Sequence, residues 1–206
     1  MSTAGTLLDG VRYDLRNYAD IDFDSTLMIH YLNRAIRSLD YALGAFNSDW
    51  TLNRDTVTLL TGADTVTVPT STFIIREVWE DERRLEQLKV MDIRYKSEFR
   101  SSDSSAPNFW AHDQDVIRFE VEANADYTIT VYFDKLSDAI TAETSTMPYQ
   151  GRFDDTLREA TILLCEAKKY KNPQEADAMY ARIFDSVAHH DMVNRRFKRK
   201  NYKLDF

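Results

Sequence analysis

The chain has 206 residues, 43% apolar and 29% charged, the balance of a soluble globular protein long enough to bury a core without disulfide or metal staples. Five glycines and four prolines leave little room for long loops or for a glycine-rich phosphate cradle. The net charge of −8 is uneven: residues 195–206 carry six bases and one acid, +5, which leaves −13 on residues 1–194, a body acidic enough to repel nucleic acid from its general surface.

Residues 1–9 lack the basic cluster and apolar stretch of a signal peptide, so no targeting segment is expected. No run approaches the ~20 apolar residues of a membrane helix. The lone Cys165 lies among Ile162, Leu163, Leu164 and Ala167, which reads as a buried apolar thiol in a protein made in a reducing cytoplasm.

Leu7, Leu8, Val11, Leu15 and Tyr18 are spaced three or four apart and predict a helix over 6–18. A polar break follows, in which Asp24 or Ser25 caps the next helix. That helix carries Met28, Leu32, Ala35, Leu39, Ala42 and Phe46 on one stripe, widened by Ile29, Ile36 and Leu43, as in a helical bundle. After Trp50 the period changes to alternation. Val57 and Leu59, then Val66 and Val68, flank Thr61-Gly62-Ala63-Asp64, which reads as a hairpin turn. A strand over 73–79 turns through Asp81-Glu82 towards Leu85 and Leu88, and a short helix follows over 91–99. Residues 109–112 and the alternating Ile117, Phe119 and Val121 flank an Asp113-Gln114-Asp115 turn. Tyr127, Ile129, Val131 and Phe133 alternate with threonines and Tyr132 as the last strand.

Helical spacing returns with Phe153, Leu157, Ala160, Leu164 and Ala167. Asn172-Pro173-Gln174-Glu175 is a helix start, and the helix it opens buries Ala176, Met179, Tyr180, Ile183, Phe184 and Val187. The expected fold class is therefore α+β. N- and C-terminal helices (1–49 and 147–194) form a bundle, an antiparallel β-sheet, sandwich or open barrel (50–136) is inserted between them, and a tail (195–206) follows, all in one domain, 1–206.

Motifs for chemistry are scarce. Asp20-x-Asp22-x-Asp24 resembles a calcium loop until its sixth position, Ser25, and its twelfth, Tyr31, which lack the glycine and the bidentate glutamate. It reads as an acidic capping loop. His189 and His190 point about 100° apart on a helix, so with Asp191 they read as a solvated face. His30 and His112 have no His or Cys at ligand spacing, and Asp154-Asp155 suits a helix N-terminus. No catalytic centre, metal or cofactor is expected.

Two features stand out. Aromatic residues make up 12% of the chain, and Tyr95, Phe99, Tyr132, Tyr149 and Phe153 fall at edges or loops, where proteins meet proteins. The tail interleaves Arg195, Arg196, Lys198, Arg199, Lys200 and Lys203 with Phe197, Tyr202, Leu204 and Phe206. Such a segment suits docking on an acidic partner with apolar pockets, or gripping phosphates with aromatic stacking. It is expected to be poorly ordered alone and ordered on binding.

The layout resembles the head-to-tail adaptor proteins of tailed bacteriophages, the tail tubular A-type proteins among them. Two N-terminal helices end near Phe46. Trp50-Thr51-Leu52, the Gly62 turn, Val66-Thr67-Val68-Pro69, Phe73-Ile74-Ile75-Arg76-Glu77-Val78, Pro107-Asn108-Phe109-Trp110, Ile117-Arg118-Phe119, Tyr127 to Phe133 and Met147-Pro148 with Phe153 follow in the order of that group. The resemblance implies a virion neck protein that forms a ring, of twelve copies, under the portal. The ring would extend the DNA channel without sequence-specific contact and carry a tail or nozzle protein. The tail residues would then be the portal-binding site, and assembly would take place in the host cytoplasm with no membrane involved. The competing readings are a small nucleic-acid-binding module acting through the tail, and an enzyme of unrecognised type.

Overall fold

Short side chains that cap, and apolar residues spaced by three and four, set the first two helices. The computed structural model describes residues 2–16, 23–100, 105–170 and 181–192. Thr3 caps α1 (Ala4–Asp14) by accepting from the Thr6 amide, which starts the helix earlier than the apolar spacing alone suggests. It stops at Asp14, short of the expected end; Tyr18 lies outside the described residues. Asp24 caps α2 (Ser25–Ala45), its Oδ1 accepting from the Leu27 amide at 2.7 Å.

α2 buries Met28, Leu32, Ala35, Ile36, Leu39 and Leu43 against α1, against α4 (Asp154–Tyr170) and against a helix described over 181–192, here α5. From α4 come Leu157, Ala160, Leu164 and Cys165, and from α5 Phe184 and Ala188. The helix start expected at Asn172-Pro173 lies outside the described residues, as do Ala176, Met179 and Tyr180. Asp154 and Asp155 occupy the first turn of α4, where the helix dipole favours negative charge. The strap from Ile140 to Met147 crosses this bundle. Asn33 reads both backbone groups of Ile140, accepting from its amide at 2.7 Å and donating to its carbonyl at 2.8 Å. Gly5 donates to the Glu143 carbonyl at 2.7 Å, and a Cβ there would stand 3.2 Å from that oxygen.

The chain divides into two compact units, Met1–Thr51 with Leu136–Phe206, and Leu52–Lys135. The second unit contains two four-stranded sheets. In one, β1 (Leu52–Leu59), β8 (Tyr127–Lys135), β3 (Thr72–Glu80) and β4 (Arg83–Arg84) lie side by side in that order. The other has the order β2 (Thr65–Thr67), β7 (Val116–Phe119), β6 (Phe109–Asp113) and β5 (Glu86–Gln87). Their inner faces share one core: Leu59, Ile75, Val78, Ile129, Val131 and Phe133 from the first, Val66, Trp110, Ile117 and Phe119 from the second. Helix α3 (Val90–Arg100) places Ile93 in the interior.

Three expectations are corrected here. β1 and β2 do not form a hairpin: β1 pairs with β8 and β2 with β7, so the segment through Gly62 crosses from one sheet to the other. The reason is local. The Ala63 amide closes a turn on the Leu60 carbonyl at 2.9 Å, while the amide of Gly62 donates to the Ala123 carbonyl at 2.7 Å and Ala63 accepts from Ala123 at 2.9 Å, so the turn is stitched to the segment between β7 and β8. The pairing is not antiparallel throughout, because the short β5 runs parallel to β6. In β3 the alternation is broken by register shifts at Phe73 and Arg76, which bring Ile75 and Val78, three apart, to the same core.

Candidate interaction surfaces

The residues that could have carried chemistry are dispersed. His30, His112, His189 and His190 are exposed, on α2, on β6 and on α5. Among the described residues no group of three His, Cys, Asp or Glu side chains could hold a metal ion. Asp24 of the acidic loop is the cap of α2, and Asp20 and Asp22 lie outside the described residues. Cys165 is fully buried and burial pushes its thiol up to about 12, so it stays protonated near neutral pH. Asp191 corrects the reading of a wholly solvated face: it is buried and accepts from the Ser48 hydroxyl at 2.9 Å, tying α5 to the segment after α2.

The aromatic residues expected at interfaces separate into two groups. Tyr149 and Phe153 belong to a packed cluster in the helical unit: their rings meet edge-on at 5.3 Å, and Trp50 stands 6.4 Å from Tyr149 and 5.8 Å from Phe153. Tyr132 is half-buried beside Trp79, with Arg54 over its ring. Tyr95, by contrast, is 64% exposed, one turn after Met91 at 74%. The two share an outward face of α3. Lys96 lies over Phe109 at 3.5 Å, and Arg94 joins Asp113 at 3.0 Å, which also pairs with Arg118 at 3.2 Å. These contacts seat α3 against β6 and β7. The side chain of Phe99 lies outside the described residues.

β1 is the second exposed feature. It is eight residues long at the edge of its sheet, whereas β2, β4 and β5, the other edges, have three, two and two. Asp55 folds back on the Thr56 amide at 2.8 Å, so that amide points away from β8, and by alternation those of Arg54 and Thr58 do too. A row of outward backbone groups on a long edge is a template for another strand, and the Asp55 contact blunts it at one position. In the helical unit an open groove of about 360 Å³ follows His30, Arg34, Arg37, Ser38 and Tyr41 along the outer side of α2.

One polar cluster was not singled out from sequence. Asp40 of α2 is 1% exposed; it accepts from the Ser137 amide at 2.9 Å, the Ser137 hydroxyl at 2.8 Å and the Tyr149 hydroxyl. Burial pushes its carboxyl up to about 6 against the two Ser137 hydrogen bonds and the nearby Arg37. The signal was present, since Asp40 stands between Ile36 and Leu43 on the apolar stripe. The ten basic and apolar tail residues, Arg195 to Lys200 with Tyr202, Lys203, Leu204 and Phe206, lie outside the described residues.

The model of the SU10 adaptor protein family matches residues 2–200, through both units and across the connections between them. The chain belongs to the SU10 adaptor protein family. This is a family of phage head-to-tail adaptors, so an SU10 adaptor is a structural part of the virion neck, as the order of elements implied. No curated protein matches the chain. In this adaptor, among the described residues, no helix is long and apolar enough to cross a membrane.

Proposed function

We propose that the chain, as one functional adaptor domain, assembles into a ring of twelve copies beneath a portal. DNA passes along its channel without sequence-specific contact, and a tail or nozzle protein is held below. The observation that carries this reading is the family match over residues 2–200. The charge layout supports it: a basic tail of +5 beside an acidic body of −13 suits attachment to a second acidic protein. Assembly takes place in the host cytoplasm and needs no cofactor, and the role is structural rather than enzymatic.

In this reading Arg195, Arg196, Lys198, Arg199, Lys200 and Lys203 speed the encounter with the portal wall, and Phe197, Tyr202, Leu204 and Phe206 anchor there. Burying one such apolar side chain is worth roughly 1.5–3 kcal/mol before the cost of ordering the segment, against about 0–1 kcal/mol for an exposed ion pair. Anchors therefore decide affinity. Deleting the chain after Asn194 should abolish or strongly weaken binding to purified portal rings and tail attachment to filled heads, with ring formation read by native mass spectrometry. Undiminished attachment would overturn the docking role. Loss of a steeply salt-dependent DNA affinity with attachment intact would favour a nucleic-acid-binding module instead.

A further inference from the structure

The turn Pro148–Gly151 stores backbone strain. Tyr149, Gln150 and Gly151 sit consecutively at φ of 58°, 55° and 80°, and the first two are not glycine. Single residues adopt this left-handed conformation in turns, but a run of three is costly and persists only where surrounding contacts impose it. Such contacts surround this turn. The Tyr149 hydroxyl meets Asp40, its ring packs edge-on against Trp50 and Phe153, and Arg152 lies over the Trp50 ring at 5.6 Å. Ser137 adds its amide and hydroxyl to the same carboxylate and bonds the Tyr149 hydroxyl at 3.2 Å. All these groups belong to the helical unit. Trp50 stands two residues before the β unit begins and Ser137 two residues after it ends, so one buried carboxylate holds the turn and the chain's return from the β unit, with Trp50 packed on that turn.

We infer that Asp40, Ser137 and Tyr149 form a latch on this turn, and that the charge of Asp40 sets how firmly the latch is shut. A hydrophobic residue at position 40 would stabilise the bundle more simply, and a carboxylate there is tolerated only with its hydrogen bonds made. The groups facing it are Arg37, one turn earlier on α2, and the hydroxyls of Ser137 and Tyr149 from the two segments packed on it; among the described residues no cation forms an ion pair with it. Burial disfavours the ionised form and is the larger effect; the Ser137 amide and hydroxyl and Arg37 favour it. Opening returns the carboxyl to water and to its ordinary 3.8 from about 6, so closed turns bind a proton more tightly than open ones. Raising the pH from 5 to 7.5 then shifts the balance towards the open turn by about tenfold, freeing Tyr149 from Asp40 and loosening the contact of its ring with Trp50.

The Ser137 amide, which donates to Asp40, is the direct reporter. Hydrogen exchange of the full chain, corrected for the intrinsic pH dependence of the amide, should quicken at Ser137 by about tenfold between pH 5 and pH 7.5. In Asp40→Asn, which keeps an acceptor without a charge, that pH response should vanish while the far-UV spectrum is retained. Tyr149→Phe should quicken exchange at Ser137 at both pH values. A pH response that survives Asp40→Asn, or exchange at Ser137 unaffected by Tyr149→Phe, would overturn the latch.

Discussion

At the scale of single residues, the buried polar groups carry the sharpest consequences. Two carboxylates of the helical unit pull its pH profile in opposite directions. Asp40 is raised by burial, so its contribution is full below the ordinary 3.8 and is lost as pH climbs through about 6. Glu143 is held below the usual carboxylate range by the Arg12 guanidinium, 2.5 Å away; its contribution is full above the ordinary 4.5 and is lost as pH falls through the lowered value. Asp40→Asn should therefore stabilise the chain at pH 7.5 by up to about 3 kcal/mol and hardly at all at pH 4, as read by chemical denaturation. Equal effects at both pH values would show that charge burial is not the cause. In the β unit, Asp134 is fully buried and takes both arms of Arg76, at 2.7 and 2.5 Å. Asp134→Ala should cost about 3–5 kcal/mol because it takes two charge-assisted hydrogen bonds from a largely buried guanidinium, whereas Arg76→Met with Asp134→Leu should recover most of that loss. Neither pair could be read from sequence: Arg76 and Asp134 are 58 positions apart and meet only because a bulge turns Arg76.

At the scale of elements, what was legible had a period. The apolar stripes of α2 and α4, the Asp24 cap and the alternate entry of Ile129, Val131 and Phe133 of β8 into the core follow from spacing and local hydrogen bonding, and the structure shows each. Pairing partners were not legible, because alternation says which way a strand faces and not which strand lies beside it. Thr61-Gly62-Ala63-Asp64 has turn chemistry, and Gly62 does sit at φ 80°, yet whether such a turn joins neighbours in one sheet or crosses between two depends on Ala123, sixty positions away. Gly62→Ala tests the turn in isolation. Nothing lies within 4 Å of a Cβ there, so the cost is conformational, about 1 kcal/mol, and a lowered Tm with unchanged spectra should report it. A drop several times larger would mean that the crossing itself had been lost. Tyr95 could be picked out from sequence as an exposed aromatic because it falls on a short helix with few apolar residues; Tyr149 and Phe153 misled because a turn after Met147-Pro148 folds them inward.

At the scale of the whole molecule, the return of the helical period after residue 136 already implied an inserted β region, and the register explains how an insertion can be so complete. Leu52 pairs with Asp134, so the two ends of Leu52–Lys135 are neighbours on adjacent strands, roughly 5 Å apart. The β unit therefore begins and ends at one place. Its core, built around Trp110, Phe119, Ile129 and Val131, shares no residue with the helical core around Leu8, Leu32, Leu39 and Leu157. With 84 residues, 52–135, it exceeds the roughly 70–80 below which a single core rarely suffices. Two consequences follow. The isolated fragment 52–135 should unfold cooperatively and keep a near-UV signal from Trp79 and Trp110, since both rings lie within it. The remaining chain, with residue 51 joined to 136 by a few glycines, should keep its helical far-UV spectrum, because closing so short a gap costs little loop entropy. A fragment with native-like far-UV but no near-UV signal would instead be a molten state, and would mean that the β core needs the helices to set its packing.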